Sequence, residues 1–245
     1  MIKKLASIFF FYLYKFKILK RFKPSIDSNF FNSYQEHITV KKIKNKLTMC
    51  VSNQNSSLLI KFCKFVKKNN LKIADWGGGF GNNAIYLSTY KKIKKTTIYE
   101  KHNLVNLINK NKYLKNYFKN KKIKFKHSST ANNLKKYDLL ICFGSLSYVK
   151  NIYQFLNSSK MPLNIAISRL PLITNSEDEP VMIDDYGPHS EKLNSKKKLH
   201  RFLKNNYKII YFKKNKQGLI SSKTYINKYI IRSYDIFLKN NLVKK

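Results

Sequence analysis

The sequence predicts an α/β fold: a doubly wound, mostly parallel sheet of seven strands, closed by an antiparallel hairpin and preceded by a helical N-terminal extension. Three observations predict it. Short β-branched and apolar runs alternate with helical stretches between residues 71 and 168. Four of the seven glycines fall between Gly77 and Gly81, where a strand gives way to a helix. Two further strand-like runs close the chain. Strands separated by helices at this spacing pair in parallel through right-handed crossovers, which is the Rossmann-like arrangement.

Each element has its own local reason. Leu58, Leu59, Phe62, Cys63, Phe65 and Val66 recur at helical spacing between Leu58 and Lys68, and Asn69-Asn70 ends that helix. Leu71–Trp76 is a short strand running into the glycines, and Asn82–Thr89 is the helix that opens after them. Thr96–Glu100 is a second strand, β-branched and aromatic. Leu104–Leu114 reads as a helix, and Ile123–His127 alternates like a strand. Tyr137–Phe143 is nearly continuous in apolar residues, as a strand buried on both faces must be. Leu146–Leu156 reads as helical and Leu163–Ser168 as a strand. Residues 177–191 hold six of the chain's twelve acids together with Pro180, Gly187 and Pro188, which predicts a loop. Ser195 caps a helix reaching about Asn205. Tyr207–Phe212 and Tyr225–Ser233 are the closing strands, joined by a turn at Gln217-Gly218.

A chain of 245 residues accommodates one α/β domain, residues 51–245, with a basic and apolar extension, residues 1–50. The formal charge of +38 points towards nucleic acid, but only four of the fifty basic residues are arginine. Arginine is the residue of bidentate phosphate and base contacts. Lysine, asparagine, isoleucine, tyrosine and phenylalanine are enriched together, as in an AT-rich coding sequence, so nucleic acid is not the expected partner. Cys50, Cys63 and Cys142 lack both metal-ligand spacing and an even count, which argues for a reducing, cytoplasmic setting. Leu5–Tyr14 is almost wholly apolar and flanked by lysines, with Arg21 beyond. It is half the length that crosses a bilayer. Two readings stay open: a core-packing first helix, or a surface-lying helix that brings residues 1–21 to the inner face of the membrane.

The chemistry concentrates at Asp75-Trp76-Gly77-Gly78-Gly79-Phe80-Gly81-Asn82-Asn83. Glycines let the backbone turn sharply and approach a ligand closely. The free N–H groups of the following helix then face that ligand. Asp75 closes the strand before the glycines and Glu100 closes the next one. A carboxylate at the second position can accept both ribose hydroxyls of a bound adenosine. The dinucleotide pattern G-x-G-x-x-G fails at Asn82, and no Gly-Lys-Ser/Thr follows. The spacing present is D-x-G-x-G-x-G, carried by Asp75, Gly77, Gly79 and Gly81.

That motif resembles the first motif of class I S-adenosylmethionine-dependent methyltransferases, and the resemblance extends along most of residues 55–235. It implies S-adenosyl-L-methionine as cofactor. Asp75, Gly77, Gly78, Gly79, Gly81, Asn82 and Glu100 would bind it, with Glu100 on the ribose. Ser128 and Ser129 stand where the family often places an acid against adenine. Phe143 and Gly144, with the segment to Val149, match its fourth motif. The combination of GGGFGN, YE, DLLICFGSLSYV and ISRLP is similar to methyltransferases encoded among bacterial surface-polysaccharide biosynthesis genes, which implies a sugar or other small-molecule acceptor. Candidate catalytic residues lie on loops at the carboxyl ends of the strands: His189 and Asp185 in the acidic segment, and Tyr148 after the fourth strand. His189 is the best base because histidine titrates near neutrality. Asp184 and Tyr186 are its neighbours, and Arg169 could meet an acidic substrate group. No metal site is expected. An RNA methyltransferase and a non-catalytic scaffold or membrane-associated partner protein are the competing readings.

Overall fold

β-Branched and aromatic runs form the parallel half of the sheet in a computed structural model of the chain. It describes residues 56–149, 151–176, 181–184, 190–215, 224–226 and 229–241. Helix α1 (Ser56–Phe65) leads into β1 (Leu71–Trp76), α2 (Asn82–Ser88) and β2 (Ile93–Glu100). Then come α3 (His102–Lys110), α4 (Lys112–Asn120), β3 (Ile123–His127) and β4 (Leu139–Phe143). A single helical turn, α5 (Ile152–Phe155), precedes β5 (Asn164–Ile173), β6 (Val181–Asp184) and β7 (Ser190–Ser195). Helix α6 (Lys196–Asn206), β8 (Tyr207–Lys214), β9 (Thr224–Ile226) and β10 (Tyr229–Asn240) complete the order.

The main path across the sheet is β3-β2-β1-β4-β5-β10-β8. Its first five strands are parallel and its last two antiparallel. These are the seven strands the sequence predicts. β6, β7 and β9 pair outside that path. After β1 the chain winds outwards to β2 and β3, then returns to lay β4 on the other side of β1. The crevice at the carboxyl ends of β1 and β4 is therefore the topological switch point, where open α/β sheets bind ligands.

Strand alternation sends side chains to two cores. Ile73, Leu139, Ile141, Ala166 and Phe237 meet Leu59, Phe62, Cys63 and Val66 of α1 on one face. Ala74, Leu140, Cys142, Ile165, Ile167, Ile236 and Leu238 meet Leu199 and Leu203 of α6 on the other. Phe62 is fully buried and stacks edge-on against Phe143 and Tyr211 and at a tilt on Phe237, with ring centroids 5.4–6.2 Å apart. The alternation of a strand and the stripe of a helix thus account for both faces.

Several expectations are corrected. The helix expected over Leu104–Leu114 is two helices meeting at Asn111. Its side chain accepts from Leu114 N at 3.1 Å and so starts the second helix instead of continuing the first. The helix expected over Leu146–Leu156 is a 3₁₀ turn at Leu146–Tyr148 followed by α5, whose start is capped by Asn151. The acidic segment is not a plain loop: Val181–Asp184 and Ser190–Ser195 pair antiparallel, from Val181↔Leu193 to Asp184↔Ser190. Ser195 does cap α6, accepting from Lys198 N. The last strand runs on to Asn240, because residues 234–238 continue the apolar pattern against both β5 and β8. The expected turn at Gln217-Gly218 lies outside the described residues, as do residues 1–50. No helix among the described residues is long and apolar enough to cross a membrane.

Candidate functional site

The glycine loop closes against the loop after β4. Gly77 has φ +67, and a methyl group on it would lie 2.4 Å from Ser145 Cβ, so only glycine fits. Ser145 Oγ donates to Trp76 O at 2.6 Å, tying the end of β4 to the end of β1 across the switch point. Gly79 has φ +54, with open space where a side chain would stand. Gly81 has φ +82 and begins α2; a methyl there would press on Ile98 at 3.0 Å. The loop is thus tight at Gly77, Gly78 and Gly81 and open at Gly79, where a ligand can approach its backbone. Asn82 and Asn83, half-buried, start the helix beside it.

Two carboxylates serve this loop differently. Glu100 Oε2 accepts from Gly79 N at 2.9 Å and Oε1 from Lys101 N at 2.9 Å, so the end of β2 grips the open part of the loop. Each oxygen keeps a lone pair for a further donor. Asp75 is fully buried, and neither of its oxygens has a hydrogen-bond partner. A methyl on Gly78 would come within 2.6 Å of Asp75 Oδ2, so the loop backbone lies directly against this carboxyl. Burial, reinforced by the charge of Glu100, pushes the Asp75 carboxyl up to about 7. An unpartnered buried carboxyl against a glycine loop is the feature a cationic ligand would satisfy. The residues therefore fit a ligand with an adenosine-like diol and a positive charge.

The other expected residues are placed as follows. Ser128 and Ser129 form a 3₁₀ turn directly after β3, with Ser128 half-buried and Ser129 exposed. Gly144 (φ +71) follows β4 and lies under the Arg169 guanidinium. The Phe143 ring is buried in the core against Phe62, and its carbonyl accepts from Arg169 Nη2 at 3.2 Å. Phe143 thus supports the strand end with both ring and carbonyl. Tyr148 is exposed in the turn after β4, against which β7 packs. Asp184 ends β6. Asp185, Tyr186 and His189 lie outside the described residues.

Three features were missed in the sequence. Ser145 pins the two loops, and its place after Gly144 in the fourth-motif segment was a usable signal. His102 Nδ1 and His127 Nδ1 lie 2.8 Å apart at the ends of β2 and β3. Only the strand register, Glu100 opposite His127, brings that pair together. Asp235, from a distant strand, accepts from Ser168 Oγ and Arg169 N, a contact no local pattern announces. The buried thiols are inert: burial pushes Cys63 up to about 12 and Cys142 well above its ordinary value, with Asp75 adding to the latter.

No protein-family model matches the sequence, and no curated protein matches it significantly. Solved structures do match in fold. The N-terminal domain of EvdMO1 with S-adenosylhomocysteine (SAH) bound aligns with TM-score 0.54 at 10% identity, covering 78% of this chain and 82% of that one. An S-adenosylmethionine-dependent methyltransferase from Clostridium acetobutylicum aligns with TM-score 0.52 at 14% identity, covering 85% and 99%. Magnesium protoporphyrin IX methyltransferase from Synechocystis, with SAH bound, gives 0.51 at 13%, covering 88% and 100%. The chain has the Rossmann-like fold of class I S-adenosylmethionine-dependent methyltransferases, with its mostly parallel sheet and closing antiparallel hairpin.

Proposed function

We propose that the protein is an S-adenosylmethionine-dependent methyltransferase acting on a small-molecule acceptor, with a sugar hydroxyl in surface-polysaccharide synthesis as the specific reading. The observation that carries the cofactor is the pair of acids at the glycine loop. Glu100 holds the loop and has lone pairs for ribose hydroxyls, while Asp75 is a buried carboxyl without a partner. Gly77–Gly81 would pass beneath the cofactor, Glu100 would hold the ribose, and Asp75 would face its positive charge. Asn82, Ser128, Ser129, Phe143 and Gly144 are the surrounding positions. When bound, the cofactor supplies an electrophilic methyl carbon on a sulfonium leaving group. This chain's task is then to place the acceptor in line and to exclude water. The base that would take the acceptor hydroxyl's proton is His189, Asp185 or Tyr148. EvdMO1 has also been crystallised in the presence of SAH and D-fucose, which supports testing sugars first.

Calorimetric titration with S-adenosylmethionine and with NAD tests the cofactor. Saturable S-adenosylmethionine binding that Glu100→Ala abolishes is expected. No binding by folded protein would favour a scaffold, and binding of NAD alone would overturn the reading of the loop. The net charge of +38 favours RNA as the second acceptor reading. It requires methylation of RNA that falls steeply with salt.

A further inference from the structure

Arg169 occupies the left-handed region at φ +56 in the interior of β5. The strain has a structural cause. In the pairing of β5 with β10, Leu170 lies opposite Tyr234 and Ile167 opposite Ile236, so Ser168 and Arg169 together face the single residue Asp235. This is a β-bulge, a device that re-aims a side chain, and its left-handed position ordinarily falls to glycine. The bulge is pinned by a buried carboxylate. Asp235 Oδ1 accepts from Ser168 Oγ at 2.7 Å, from Arg169 N at 3.2 Å and from Asn215 Nδ2 at 2.6 Å.

That effort is directed at the Arg169 backbone and leaves its guanidinium short of partners. Nη2 donates to Phe143 O at 3.2 Å, while Nε is buried with no acceptor. The ion pair of Lys68 with Asp138 lies elsewhere, at the start of β1 and β4. The guanidinium rests on Gly144, where a methyl would stand 3.0 Å from Nη2. Gly144 adjoins Ser145, which abuts Gly77. The cation is therefore beside the carboxyl end of β4, where Phe143 pairs with Ser168 in the middle of β5, across the switch point from Glu100. A half-buried guanidinium held by a strained residue over Gly144, beside the loop that abuts Gly77 and with one donor lacking an acceptor, calls for an anion.

We propose that Arg169 binds an oxyanion of the methyl acceptor, so that the acceptor carries a carboxylate or phosphate beside the group to be methylated. This rests on the methyltransferase reading above and adds the acceptor's charge class to it. The same chemistry could come from the carboxylate of the cofactor's amino-acid end, which the test separates.

With four arginines in the chain, the ¹⁵N-resolved Nε–H signals are few, and Arg169→Gly assigns the one in question. The full-length protein is titrated with inorganic phosphate and with acetate, with and without SAH. The expected result is a saturable displacement of the Arg169 signal in the SAH complex, while exposed Arg201 follows only ionic strength. Arg169→Gly should weaken phosphate binding by about tenfold or more, as loss of a charge-assisted contact does, and should melt at the same temperature or higher because glycine relieves the strain. That combination separates a ligand role from a folding role. An Arg169 signal that neither anion moves would overturn the proposal. So would displacement by SAH alone that 5′-methylthioadenosine, which lacks the carboxylate, fails to reproduce. If SAH does not bind, the cofactor reading fails by itself, and phosphate on the ligand-free protein still decides the role of Arg169.

Discussion

The buried carboxyl of Asp75 makes stability depend on pH in a calculable way. Desolvation, and secondarily Glu100, raise its midpoint from 3.8 to about 7 in the folded chain. Between those values the folded protein keeps a proton that the unfolded chain has released. This contribution is therefore fully present below pH 3.8, declines as pH rises, and is gone above about 7. The slope is about 1.4 kcal/mol per pH unit, and the whole effect is about 4 kcal/mol. Asp75→Asn keeps the shape and cannot ionise. Urea unfolding of both proteins from pH 5 to pH 8 isolates this group from all others. The Asp75→Asn variant should gain about 3 kcal/mol relative to the parent across that interval. A constant difference between the two proteins would refute the account of Asp75. A cation seated against Asp75 stabilises its ionised form, so S-adenosylmethionine binding at pH 6 should release protons, up to about one per site. Calorimetry in two buffers of different ionisation enthalpy reads that number, and zero release would show that the cofactor's charge does not meet Asp75.

Two further outcomes follow from packing and backbone geometry. Gly77→Ala should destabilise more than Gly79→Ala, by about 2 kcal/mol, because a Cβ meets Ser145 Cβ at 2.4 Å in the first case and open space in the second. Both bear the strain of positive φ. Denaturation midpoints check the order, and Ser145→Gly should recover part of the Gly77→Ala loss. Phe62→Ala should cost about 3–5 kcal/mol by emptying the centre of the α1 face, where Phe62 touches Phe143, Tyr211 and Phe237. Equilibrium unfolding measures it. A loss below about 1 kcal/mol would mean that the cavity collapses freely.

The sequence alone determined the order of the parallel strands' segments, the glycine loop, and the two acids that close β1 and β2. Those features rest on local rules: alternation, continuous apolar runs and the need for glycine at positive φ. Leu71–Trp76 and Ile123–His127 stand at their expected limits for that reason. Where two local signals competed, the sequence misled. Asn111 could be helical or a cap, and the acids and prolines around residues 181–184 hid a strand whose partner lies several residues away. The tertiary structure alone decided what depends on register between distant segments. Asp235 reaches Arg169 only because β10 returns beside β5, and His102 meets His127 only because β2 and β3 pair. It also decided the chemistry of Asp75. A carboxyl reads the same in a sequence whether solvated or buried, and only the folded packing, with Glu100 brought near, removes water from it and raises its affinity for a proton.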